Sequence, residues 1–140
     1  MRYFTATEFV KLSREEANIP ITPALAEKIY GHIDELNPVR ISLGKAIIVT
    51  SAYRPVWWEK TRGRSGDSEH TFKGEGAVDL TSFDLKGLLL LLKETEYTRI
   101  ALYPESNFIH CDYKFPERGQ RYFVGPAWDQ LTHPELMDLL

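Results

Sequence analysis

Apolar residues recur along the chain with two different periods, which predict both helices and strands. After Thr22 they are spaced by four, four and three residues, as on one face of an amphipathic helix. Thr22 supplies a capping oxygen and a proline follows it at the first helical position, while Asn37-Pro38 is expected to end the helix. A second, leucine-rich helix is predicted at residues 83–94, with Ser82 as its cap.

Several extended segments favour a sheet. Residues 54–76 mix glycine, proline and charged residues without either period, which predicts a long functional loop. A short helix is predicted after Thr7, ending before Pro20, and the tail at 126–140 is predicted to be partly helical. In this order, helices come first and the strands follow, with one helix between them. Such an order indicates the α+β class with an antiparallel sheet. The predicted strands, rich in β-branched and aromatic residues, are 46–50, 77–81, 98–103, 107–113 and 122–124.

Length and composition narrow the class of protein further. The chain has 140 residues, of which 43% are apolar and 26% charged, and this predicts one globular domain over residues 1–140, expected to be a monomer. A net charge of −3 argues against nucleic-acid binding by bulk charge, so a metal nuclease, suggested by the basic loop at 60–64, is a weak alternative. No apolar run suits a signal peptide or a membrane span, so neither signal-directed export nor membrane insertion is expected.

Two of the four histidines lie in segments that favour metal binding. His70 lies in the predicted loop, Asp79 follows nine residues later in a predicted strand, and His110 lies 31 residues beyond Asp79. Two imidazoles and one carboxylate suit Zn²⁺ and leave a fourth position for water, as in catalytic sites. From spacing alone, a site without metal remains the alternative. His32 and His133 are expected to be a surface or boundary residue and a turn residue, respectively.

Other residues near these segments also have candidate roles. Asp112 shares a strand face with His110, so it can act as a general base or can accept the second ring N–H of His110 and orient it. Cys111 points to the opposite face and is expected to be a packed thiol. Arg54 can bind a carboxylate or a developing oxyanion through its fork of donors, the alternative being a solvated loop arginine.

Three segments together resemble one known family. SAYRP, then SEH and GEGAVDL, then YPESNFIHCD are similar to the zinc D-alanyl-D-alanine peptidases, which include VanY-type carboxypeptidases and phage endolysins and share a fold with the hedgehog signalling domain. This resemblance implies a small antiparallel sheet with helices packed on one side. It also implies one Zn²⁺ in an open cleft, held by His70, Asp79 and His110.

The resemblance also implies a reaction and a substrate. The family hydrolyses peptidoglycan stem peptides, at a D-alanyl bond or between L-alanine and D-glutamate. Ser68 and Arg54 match positions that hold the substrate or polarise its carbonyl, and Tyr53 beside Arg54 is a further substrate-binding candidate. Such an enzyme, made in the cytoplasm without a signal peptide, is expected to act on the cell wall after release or as part of a virion.

Two features differ from the family pattern. The spacing from His70 to Asp79 is two residues longer than in many members. Asn107, three residues before His110, replaces a carboxylate that serves many members as general base, and an amide cannot take up a proton at neutral pH. Asp112 is therefore the first candidate base and Glu105 the second. The alternative is a non-catalytic, zinc-binding structural or cell-wall-binding module, for example a phage virion component.

Overall fold

Helices and strands alternate along the part of the chain that the structure describes. The structure is a computed structural model that describes residues 3–12 and 19–140. Its helices are α1 (Pro23–Leu43), α2 (Val56–Thr61), α3 (Leu85–Leu92) and α4 (His133–Met137). Its strands are β1 (Ile48–Ser51), β2 (Ala77–Thr81), β3 (Arg99–Tyr103), β4 (Phe108–Asp112), β5 (Arg121–Val124) and β6 (Asp129–Leu131). Short 3-10 turns lie at Ala6–Phe9, Glu69–Thr71 and Pro116–Arg118.

The described strands form one mixed sheet in the order β1-β2-β4-β3-β5-β6. Every neighbouring pair is antiparallel except β3 and β5, which run parallel. Parallel neighbours need a return connection. Here β4 brings the chain back, and residues 113–120 then lead it past β3 to begin β5. The predicted α+β class is confirmed, with this one parallel pair in an otherwise antiparallel sheet.

The two faces of the central strands meet different surroundings. Successive side chains on a strand point to opposite faces. On one face, Ile100 and Cys111 are fully buried in the core that α1 and α3 form with the sheet, so Cys111 is the packed thiol that was predicted. On the other face, Asp79, His110 and Ala101 stand side by side on β2, β4 and β3. The helical layer therefore leaves this second face available for a site.

Helix α1 begins as predicted but continues further than predicted. Thr22 caps it through its side-chain oxygen, whereas the predicted end at Pro38 is wrong, because the helix continues to Leu43. An internal proline costs about 3 kcal/mol. The additional turn buries Val39 in the core, which offsets about 1.5–3 kcal/mol, and Gly44 then ends the helix in the left-handed conformation.

The segment predicted as one long loop contains helix α2 and the Glu69–Thr71 turn. Helix α2 is only six residues long, too short to show a helical period in the sequence. It is held in place by Trp58, whose ring is buried and is covered by the Arg62 guanidinium 3.7 Å from its centroid. Strand β6 was also not predicted, because a three-residue strand carries little pattern.

The remaining boundaries lie close to the predicted ones. Each predicted strand overlaps an observed strand: 77–81 matches β2 at both ends, the others differ by one or two residues at an end, and α3 is shorter than predicted. The short helix predicted near the N-terminus overlaps the Ala6–Phe9 turn, while the part predicted at 13–18 lies outside the described residues. Among the described helices, none combines the length and the apolar character needed to cross a bilayer.

The predictions for two histidines are wrong. His32 is 1% exposed and its ring lies 2.8 Å from the Tyr97 hydroxyl and 2.9 Å from the Glu75 carbonyl oxygen. His133 is also buried, begins α4, and donates from Nε2 to the Leu89 carbonyl at 3.1 Å. The His32 ring has a partner at both nitrogens and the His133 ring has one at Nε2, and a pattern of neighbouring apolar residues does not reveal these contacts.

Candidate metal centre

Three separate elements bring the predicted ligands together. Asp79 and His110 are direct cross-strand partners on β2 and β4, so their side chains leave the same face of the sheet. His70 lies in the 3-10 turn that Ser68 caps through its side-chain oxygen. The main chain ties this turn to the end of β1, since the amide of Arg54 donates to the His70 carbonyl at 2.8 Å.

The ligand atoms of the three residues form a nearly equilateral triangle. His70 Nε2 lies 3.2 Å from His110 Nδ1 and 3.2 Å from Asp79 Oδ1. His110 Nδ1 lies 3.0 Å from Asp79 Oδ1. Zinc ligands at about 2.0–2.2 Å from the ion have spacings of this order. Three such atoms could hold a tetrahedral ion and would leave its fourth position for water or substrate.

The hydrogen bonds of the two imidazoles fix which nitrogen faces this triangle. His70 Nδ1 lies 2.7 Å from the Ala52 carbonyl oxygen, which can only accept, so this nitrogen carries the proton and Nε2 is directed inward. His110 Nε2 donates to Asp112 Oδ2 at 2.7 Å, so Nδ1 faces inward. Lone pairs therefore converge with a carboxylate oxygen, and this donor set fits a Zn²⁺ ion.

The charges around the ligands favour a site that holds a cation. Burial acts against ionisation of Asp79, but His70 and His110 lower the pKa of its carboxyl below the usual range. Burial likewise acts against a charged His110, but hydrogen bonds with Asp112 and Asp79 outweigh it and raise the His110 pKa. A metal ion needs His110 Nδ1 without a proton, so the raised pKa makes metal affinity at this position depend on pH.

Asp112 lies behind His110 rather than in the open cleft. It is fully buried, and besides the His110 contact it accepts from Arg99 Nε at 2.8 Å and Nη2 at 2.6 Å, and from the Lys114 amide at 3.0 Å. Burial alone would raise the pKa of this carboxyl, but these donors lower it below the usual range. This geometry matches the second role weighed for Asp112, which is to orient His110.

Arg54 lies at the cleft on the β1 side and is held firmly. Its Nε donates to Glu59 Oε1 at 3.0 Å, and its Nη1 donates to Ser51 Oγ at 3.3 Å. Glu59 is fully buried and also accepts from Arg64 Nη1 at 2.9 Å. Two cations thus neutralise one buried carboxylate, so the Arg54 guanidinium is fixed where it borders the cleft.

The other candidates lie at different distances from the cleft. Ser68 lines it, and because its oxygen accepts the His70 amide at 3.2 Å, its hydroxyl proton can still be donated. Tyr53 instead packs edge-on against Phe72 beside the core. Glu105 is exposed in the turn between β3 and β4 and is not among the residues that line the cleft.

The longer spacing between His70 and Asp79 is absorbed in the loop between them. Phe72 adopts a left-handed backbone with φ 57°, and its ring is buried. Gly76, with φ 93°, passes so close to that ring that a Cβ would lie 2.6 Å from it. The exposed residues 73–75 form the outer part of this loop, where two additional residues can be accommodated without displacing either ligand.

The cleft also contains residues that were not predicted. Its volume is about 420 Å³, at the small end of the range for ligand sites. Its unpredicted lining residues are Asp67, Glu69, Arg99, Tyr103, Phe108, Lys114 and Trp128. Tyr103 and Phe108 stand on the same sheet face as His110, which alternation on β3 and β4 could have indicated. Trp128 comes from the turn between β5 and β6, for which the sequence offered no signal.

Comparison with known proteins adds one positive finding. Residues 2–112 match the family model described as Peptidase M15. The match contains all three ligand positions and ends at Asp112, so the hairpin of β5 and β6 lies beyond it. A search of curated proteins finds no match.

Proposed function

This chain belongs to the Peptidase M15 family, and from that membership we propose that it hydrolyses an amide bond of a peptidoglycan stem peptide in the cleft beside His70, Asp79 and His110. The family is zinc-dependent, so the chain is a metallopeptidase with peptidoglycan as its general substrate. The observation that supports the proposal is the convergence of the three ligand atoms, all 3.0–3.2 Å from one another.

Two bonds are candidates for cleavage, a terminal D-alanyl bond and the bond between L-alanine and D-glutamate. Incubating a purified stem pentapeptide with the zinc-loaded protein and identifying the products by mass spectrometry distinguishes them. Free D-alanine indicates a carboxypeptidase, while free L-alanine with a shortened peptide indicates an endopeptidase. A chelator should stop either reaction and added zinc should restore it, whereas hydrolysis that persists in chelator would contradict the proposal.

Each proposed role follows from the position of the side chain. A bound Zn²⁺ supplies Lewis acidity, which activates water and polarises a carbonyl. Arg54, held by Glu59 and Ser51, directs its remaining donors to a substrate carboxylate or to charge developing on the carbonyl oxygen. Ser68 donates its hydroxyl proton to the substrate. These groups orient the peptide before reaction, so little reorganisation is needed.

For Asp112 we propose a positioning role, because its oxygens already accept from His110 and Arg99. Asp112→Asn should weaken zinc binding about 10- to 100-fold, and saturating zinc should restore most hydrolysis. A general base would behave differently, since its amide variant would bind zinc normally and remain inactive. Zinc affinity by chelator competition and kcat at saturating zinc separate these outcomes.

If Asp112 positions His110, another carboxylate must accept the proton of the attacking water, and Glu69 and Glu105 are the candidates. Glu69 lines the cleft next to His70, and its Oε1 lies 3.6 Å from Lys114 Nζ, a distance too long for a hydrogen bond. Glu105 lies in the exposed turn of the β3–β4 hairpin. Glu69→Gln and Glu105→Gln form a matched pair, and the variant that loses kcat at full zinc occupancy identifies the base.

A non-catalytic zinc-binding module is the second candidate function. Asn107, which replaces the carboxylate of many relatives, is exposed at the tip of the same hairpin with φ 55°. Its carbonyl oxygen accepts from the Thr81 hydroxyl at 2.6 Å, so its backbone stabilises the turn. Peptidoglycan that retains the protein in a zinc-dependent manner, without any release of amines, would favour this function over hydrolysis.

A further inference from the structure

Trp128 lies over the row of residues that contains the metal ligands. On the cleft face, Ala101 stands between His110 on β4 and Phe123 on β5. The Trp128 ring lies 5.2 Å from the His110 ring and 5.1 Å from the Phe123 ring, between centroids. The small Ala101 side chain leaves room for the indole to reach across from the end of β5 to the ligand.

Three further features hold this indole at the cleft. Its Nε1 donates to the Tyr103 hydroxyl at 2.5 Å, and the Arg99 guanidinium carbon lies 4.7 Å from its ring centroid. The backbone at Trp128 is left-handed, with φ 61°, a conformation that is uncommon for a bulky residue. Packing and hydrogen bonding therefore hold a partly exposed aromatic ring beside His110.

The strand order places this ring and Arg54 on opposite sides of the ligands. Arg54 follows the edge strand β1, Asp79 and His110 lie on β2 and β4, and Trp128 follows β5. A peptide in the cleft would therefore meet a cation on one side and an aromatic wall on the other. The wall consists of Trp128 and Tyr103.

We propose that Trp128 is a specificity-determining residue, and this inference rests on the proposed function. The indole packs against the residue next to the cleaved bond and limits it to a small aliphatic side chain such as that of alanine, while Arg54 binds a carboxylate of the same peptide. The cleft of about 420 Å³ suits a short peptide of small residues.

Trp128→Ala and Trp128→Phe test the proposal, with Trp57→Ala as the control. Trp57 is 53% exposed on α2 and does not line the cleft. The substrates are the stem pentapeptide and an analogue with leucine in place of the alanine at the cleaved bond. Zinc affinity, circular dichroism and binding of the dipeptides D-alanyl-D-alanine and L-alanyl-D-glutamate, followed by calorimetry, are measured for every variant.

The expected pattern separates this inference from the proposed function. Trp128→Ala should raise KM for the alanine substrate about tenfold and weaken the binding of one dipeptide about tenfold. It should also reduce the preference for alanine over leucine, while zinc affinity and the circular dichroism spectrum stay unchanged. Trp128→Phe should give values between those of the wild type and Trp128→Ala, and Trp57→Ala should match the wild type. Unchanged KM, preference and dipeptide binding in Trp128→Ala would overturn the inference, as would a loss explained by weaker zinc binding. A wild type that hydrolyses no peptide but binds a dipeptide through Trp128 contradicts the proposed function alone.

Discussion

His32 makes the stability of this protein dependent on pH in a predictable direction. The ring is 1% exposed, between the Tyr97 hydroxyl and the Glu75 carbonyl. Because that carbonyl can only accept, Nε2 donates to it, which leaves Nδ1 of a neutral ring to accept from the Tyr97 hydroxyl. Burial, the largest influence, lowers the pKa of His32 from 6.5 to about 4.

This shift has a definite sign and size. In the unfolded chain His32 takes up a proton near pH 6.5, whereas the folded protein resists protonation until about pH 4. Between these values the unfolded state binds more protons, so the free energy of unfolding falls as the pH falls. Each pKa unit corresponds to about 1.4 kcal/mol, which gives a loss of about 2 kcal/mol at pH 5 and about 3 kcal/mol below pH 4.

Urea unfolding of the metal-free protein at several pH values between 7.5 and 4.5 measures this effect. His32→Gln is the reference, because an amide can donate to Glu75 but does not titrate. Subtracting its unfolding free energy from that of the wild type removes the contributions of the carboxylates and the other histidines. The difference should fall by about 2 kcal/mol from pH 7.5 to pH 5. Two curves that stay parallel would refute the buried, neutral state of His32.

Three further outcomes are expected. Zinc should raise the melting temperature of the wild type in a concentration-dependent manner, and His70→Ala should abolish this shift in a thermal scan. Arg54→Lys should raise KM for the stem peptide about tenfold with a smaller effect on kcat, since lysine keeps the charge but loses the fork held by Glu59; an equal KM would contradict the role in substrate binding. Pro38→Ala should raise the unfolding free energy by up to about 3 kcal/mol, because it restores the amide that can donate to the Asp34 carbonyl, and urea unfolding without a change would show that the helix is not strained.

The sequence was sufficient to predict the features that depend on short-range pattern. The Thr22 cap, the leucine-rich helix and the strands around Asp79 and His110 each leave a local signature. The resemblance to the zinc D-alanyl-D-alanine peptidases is confirmed by the family match, and the three proposed ligands do come together. Spacing alone left a site without metal open, and the resemblance of the three segments to the family identified the ligands.

The features that were missed depend on tertiary contacts. The burial of His32 requires Tyr97 and Glu75, which are 65 and 43 residues away along the chain. Trp128 reaches the cleft only because β5 lies beside β3 and Ala101 is small, and neither fact has a local signal. Helix α1 passes through Pro38 because Val39 is buried, a gain that local propensity does not include.

The parallel pairing of β3 with β5 attaches the strand before Trp128 to the sheet without any direct pairing with the ligand strands β2 and β4. The ligand strands are joined to the final hairpin through main-chain hydrogen bonds along β3, which almost any sequence can supply. Substitutions within the β5–β6 hairpin can therefore alter the Trp128 side of the cleft while Asp79 and His110 keep their places on β2 and β4.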